Sequence, residues 1–129
     1  MVTRRGIKNS ENWTPLGIYL RDKRAALGIS QKEMAAGIGV SSAYLSALEH
    51  GKRGKPSFAL LQRIIGYLGV IWDEAEAVER LAQLSDPKAV IDTSDLSDKA
   101  TLLACLIAED IAHWDEETIE RLTQALPKT

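Results

Sequence analysis

Apolar residues recur at intervals of three and four along most of the chain, a spacing that predicts helices rather than strands. Leu16, Tyr19, Leu20, Lys23 and Leu27 share one face of a helix that Thr14 caps, Pro15 opens and Gly28 ends. Ser30 and Glu33 make a capping box ahead of Gln31, and Met34, Ala35 and Ile38 give the second helix its apolar face. Gly39 stands where that helix must stop, because glycine takes the left-handed stop conformation without steric cost. Ser41 caps a third helix with Leu45 and Leu48 inward, and Val40 plugs the turn before it. Ser57 caps a fourth, with Leu61, Ile64, Ile65 and Leu68 as its stripe and Gly69 and Val70 closing it. A fifth runs from about Trp72 to Leu84, with Ala75, Val78, Leu81 and Ala82 inward and Asp73, Glu74, Glu76 and Glu79 outward.

The pattern then breaks. Residues 85–97 contain Pro87 and several turn formers and read as a linker, in which Ala89-Val90-Ile91 is a short apolar run able to cross onto a neighbouring surface. Ser97 caps a sixth helix reaching about Trp114, and Asp115 or Glu116 opens a seventh that ends near Leu126. Ala100, Leu103, Ala104, Ile107, Ile111 and Trp114 form one stripe on the sixth, which Leu102 and Leu106 widen; Ile119, Leu122 and Leu126 face one way on the seventh. Two helices cannot bury so wide a surface alone, so it docks on the first domain or, as we prefer, on a second subunit. Residues 1–12 are polar and aperiodic and read as a flexible basic arm. Its Arg4, Arg5 and Lys8 either lie along a DNA minor groove or simply solvate a frayed end. The expected organisation is an all-α chain: arm (1–12), five-helix domain (13–84), linker (85–97) and C-terminal helical pair (98–129).

Composition adds three constraints. Hydrophobic residues make up 45% of the 129, enough for a real core, and a single Phe among the aromatics predicts one built from Leu, Ile, Val and Ala. Cys105 is the only cysteine, which excludes an intramolecular disulfide and fits a reducing cytosol. No apolar run approaches the ~18 residues of a membrane helix and no signal-peptide core opens the chain, so a soluble, cytoplasmic protein is expected, without membrane partners.

Charge changes the picture more. The net of −2 hides a division: residues 1–56 carry ten Lys/Arg against four acids, and residues 57–129 carry six against fourteen. Binding follows the local field within a Debye length of roughly 8–10 Å, so the basic half can hold nucleic acid whatever the total.

That basic half contains helix, glycine turn, helix and basic loop in succession, the helix-turn-helix pattern in which the second helix enters the DNA major groove. Residues 28–57, GISQKEMAAGIGVSSAYLSALEHGKRGKPS, resemble the Cro/C1 repressor family, also called the XRE family. The matched positions are Gln31, Ala35, Gly39, Val40, Leu45, Leu48, the run Glu49-His50-Gly51-Lys52, and Pro56; the likeness extends over roughly residues 15 to 70. It implies the five-helix Cro/C1-type fold and a partly buried, structural ion pair between Arg24 and Glu49. It also implies a set of DNA contacts: Ser42, Ala43, Ser46 and Ala47 towards base edges, Tyr44 at the margin and His50 near the backbone. Gln31 would anchor a phosphate at a helix N-terminus, and Lys52, Arg53 and Lys55 would hold phosphates from the loop. Two serines and two alanines stand where base readers with bidentate reach are usual. Sequence preference is therefore expected to draw on Tyr44, serine contacts, water, the arm or DNA shape.

The family usually works as a two-fold dimer. The implied function is a homodimeric, sequence-specific regulator of transcription, a repressor on a palindromic double-stranded operator. Leu102, Leu103, Leu106, Ile107, Ile111 and Trp114 would carry the dimer contact. The alternative is a protein-interaction module, an antitoxin or antiactivator, that engages a protein partner through the acidic C-terminal helices. An enzyme is not expected, since P-loop, nucleophile elbow and any Cys/His pair close in sequence are all missing. Neither cofactor nor metal is implied: His50, His113 and Cys105 lack metal-ligand spacing. The acids Glu109, Asp110, Asp115, Glu116, Glu117 and Glu120 read as a solvated face.

Overall fold

The computed structural model describes residues 12–128. The basic arm expected over residues 1–12 lies outside the described residues except for Asn12. The described residues form seven α-helices and no strand: α1 (Pro15–Leu27), α2 (Gln31–Ile38), α3 (Ser42–Glu49), α4 (Phe58–Leu68), α5 (Trp72–Gln83), α6 (Asp98–Asp110) and α7 (Glu116–Ala125). They fall into two units, one ending at Ala89 and the other starting at Val90.

In the first unit each helix is punctuated by its own sequence. The Thr14 hydroxyl accepts from the Gly17 N–H at 3.0 Å, ahead of Pro15 at the first helical position. The capping box before α2 is formed in both directions: Ser30 Oγ accepts from Glu33 N at 3.0 Å and Ser30 N donates to Glu33 Oε1 at 2.9 Å. Gly39 ends α2 with φ +80°, a left-handed turn that a side chain would strain. Ser41 and Ser57 cap α3 and α4 through bonds of 3.0 and 3.1 Å.

The apolar faces these helices present close into one core. Leu16, Leu20, Met34, Ile38, Leu45 and Ile64 are essentially excluded from solvent, and Leu48, Leu60, Leu61, Leu68, Val70 and Val78 surround them. Each such side chain contributes on the order of 1.5–3 kcal/mol of hydrophobic free energy. In the packing α2 meets α3 and α4, and α1 meets α3 and α5.

The α1 face differs from expectation at its end: Leu27 is 48% exposed and Arg24 is the last buried residue. The inward position of the final turn is taken by a cation with a buried partner, and the chain leaves the core at Gly28. Ser85, the first residue of the expected linker, is bonded into this unit. Its hydroxyl accepts from Leu16 N at 2.9 Å and donates to the Leu81 carbonyl at 2.6 Å.

The second unit is built differently. Ser97 caps α6 and Asp115 caps α7, so both helices have local start signals. The sixth helix stops at Asp110 rather than near Trp114, and Ile111–His113 continue as a 3₁₀ turn. Tightening of a final turn is common at helix ends, and it keeps the apolar residues near the spacing that makes the helix look longer. No described residue from Val90 onward is buried. Leu102 and Leu103 are each 60% exposed, Leu106, Ile111 and Leu122 are nearly half exposed, and Val90 is 90% exposed.

Candidate nucleic-acid interface

The third helix is held from behind, and that leaves one face outward. Leu45, Leu48 and Glu49 point into the core. Glu49 is fully buried, and its carboxylate has two partners: the Arg24 guanidinium binds Oε2, and Gln31 Nε2 donates to Oε1 at 2.9 Å. The Glu49 carbonyl accepts from both the N–H and the hydroxyl of Thr14, at 3.0 and 3.1 Å. Removing one partner of a buried ion pair costs roughly 3–5 kcal/mol, so this knot is structural. It joins both ends of α1, the start of α2 and the end of α3 in one place.

Close approach explains Gly17. A methyl group at that position would sit 2.1 Å from the Glu49 carbonyl oxygen, inside any permitted contact. Nothing in the apolar pattern marks this glycine; the requirement comes from a backbone more than thirty residues away.

On the outward side of α3, Ser42 and Ala43 are exposed and Tyr44, Ser46 and Ala47 are half-buried. Because two of these residues carry only a methyl group, the surface is concave. Ala43, Ser46, Ala47, His50 and Lys52 line a hollow of about 280 Å³. Five of the expected contact residues, one of them a cation of the following loop, therefore share a single depression.

His50 is fixed at its rim by groups that the apolar pattern does not mark. Its Nδ1 lies 2.8 Å from the Asn12 carbonyl, which can only accept, so Nδ1 carries a proton in this contact. The Trp13 ring packs against the imidazole at 4.2 Å between centroids, and the Arg21 guanidinium lies 5.0 Å from the Trp13 centroid. A lone Trp ahead of Thr-Pro is the one signal of this arrangement in the sequence.

The loop after α3 is anchored at its start, where Lys52 N donates to the Ala47 carbonyl at 2.8 Å, and at its end by buried Pro56. Between these points Lys52, Arg53 and Lys55 are exposed. The Arg53 guanidinium lies over the Tyr44 ring, 5.0 Å from its centroid. Gln31, expected to face a phosphate, donates one side-chain N–H to Glu49. The six residues expected at a dimer contact all belong to the second unit; Ile107 and Trp114 are half-buried there and the four others exposed. Among the described residues no group of three or more His, Cys, Asp or Glu could hold a metal ion, and no helix is long and apolar enough to cross a membrane.

Helix, glycine turn, buried hub and outward helix followed by a basic loop define a helix-turn-helix domain. The family model described as helix-turn-helix matches residues 20–74, and this part of the chain is similar to the XRE family of DNA-binding transcription regulators. A curated relative, the uncharacterized HTH-type transcriptional regulator RghRB of Bacillus subtilis (strain 168), is 34% identical over 64 residues. The match covers 50% of this chain and 46% of that protein, so the chain spans about half the length of the relative. No solved structure gives a significant match.

Proposed function

We propose that this protein is a sequence-specific regulator that binds operator DNA as a homodimer and represses by occluding a promoter. The observation that carries the reading is the outward face of α3 with its concave surface, continued by three exposed cations in the next loop. In this reading Ser42, Ala43, Ser46 and Ala47 meet base edges, Tyr44 borders them, and Gln31, His50, Lys52, Arg53 and Lys55 contact the backbone. Leu102, Leu103, Leu106, Ile107, Ile111 and Trp114 form the dimer contact. Its support is that these two helices leave most of their apolar surface uncovered within their own unit.

The test is selection from a random duplex pool with the purified protein. The expected product is an inverted repeat with half-sites about one DNA turn apart, and L103E/L106E should reduce binding to that of a single half-site. An enriched site without two-fold symmetry would contradict the homodimer, and no enrichment would contradict the DNA reading. The same uncovered apolar surface favours a second reading, in which the acidic helices engage a protein partner as an antitoxin or antiactivator does. A DNA-silent protein that captures such a partner would establish it.

A further inference from the structure

The three loop cations are not equivalent. Lys52 and Lys55 are exposed point charges, suited to any phosphate and indifferent to sequence. Arg53 instead lays its guanidinium over the ring of Tyr44, at 5.0 Å from the centroid. Tyr44 stands on the helix proposed to read bases, and it is half-buried against the core. A guanidinium held over a ring still has N–H groups directed away from that ring, and such groups can grip a phosphate. One side chain can thus bind the DNA backbone and fix an aromatic ring at the same moment.

We infer that Arg53 is a positioning residue for base selection: gripping its phosphate, it holds the Tyr44 ring against the edge of the half-site. This rests on the DNA-binding reading proposed above. The phosphate-contacting loop and the reading helix then act as one unit, and loss of Arg53 changes which sequence is preferred as well as how tightly DNA is held.

The experiment measures dissociation constants for the selected site and for each of its single-base variants, using the full chain and R53A, R53K, Y44L, Y44L/R53A and K52A. Leucine at 44 keeps bulk against the core and removes only the ring face. K52A is expected to weaken all duplexes by one common factor. R53A should in addition lose discrimination at the positions that Y44L also affects, by about two- to five-fold, the factor an exposed cation–π contact supplies. In the Y44L background R53A should cost no further discrimination, because the ring it positions is gone. R53K keeps the charge and loses the planar guanidinium, so it should hold the salt dependence yet discriminate like R53A. The inference is overturned if R53A weakens every duplex equally, if the two changes multiply, or if R53K discriminates fully. An unaltered protein that selects no duplex would overturn the DNA reading and this inference together, before any variant is compared.

Discussion

A carboxylate at the C-terminal end of a short helix adds negative charge where the unpaired carbonyls already supply it, and burying it raises the cost further. Glu49 is tolerated because Arg24 and Gln31 satisfy both of its oxygens. Arg24→Ala should therefore lower the unfolding free energy by roughly 3–5 kcal/mol in urea denaturation, leaving a buried charge with a single neutral donor. A decrease below about 1 kcal/mol would mean that the pair behaves as a surface contact. The two partners are 25 residues apart, and no helical spacing connects them; only the likeness to a known family suggests the pair. Where that likeness is silent, at Gly17, at the bond from Gln31 and at the Trp13–His50 stack, the sequence offers almost nothing to read. Each of these depends on a three-dimensional neighbour distant along the chain.

At the scale of elements the legible signals are local ones. Thr14, Ser30, Gly39, Ser41, Ser57 and Gly69 each sit at the helix end they mark, since a cap acts within three or four residues of itself. The end of α6 is illegible for the complementary reason. Ile107, Ile111 and Trp114 keep near-helical spacing through a 3₁₀ turn, and no glycine or proline announces the change. Contacts between elements are less visible. Tyr19 on α1 donates its hydroxyl to Glu74 Oε2 on α5 at 2.5 Å, and Lys23 Nζ reaches the same oxygen at 2.9 Å. Burial first, then the hydrogen bond and the nearby charge of Glu74, push the Tyr19 hydroxyl well above the ordinary tyrosine range. A group raised in the folded state stabilises it fully below the unfolded value. That contribution is lost as pH climbs beyond about 10, where the unfolded chain ionises and the folded one does not. Alkaline denaturation should start there, and Tyr19→Phe should show a shallower fall of stability with pH over the same range. Identical slopes in the two proteins would contradict the link.

For the whole molecule, charge is distributed against the total: a basic half bears the helix-turn-helix and an acidic half follows it. This is readable from residue counts, as is the excess of apolar surface on the last two helices. The identity of what covers that surface is not, because residue counts and periodicity show an apolar excess without showing its partner. The partition of labour follows from the same division. In the reading proposed above, the local field of the basic loop favours a polyanion at short range, and the acidic helices carry charge of the opposite sign.

The central claim, that the face formed by α3 and its loop meets DNA, has a direct test in the salt dependence of duplex binding. Affinity should fall steeply and linearly on a double-logarithmic plot for the unaltered chain. K52A/K55A should bind every duplex more weakly, with a slope smaller by roughly 1.8, about 0.9 for each phosphate that is no longer neutralised. A double variant with the affinity and slope of the parent would show that the loop does not touch the backbone, and would place the DNA contact, if any exists, on another surface.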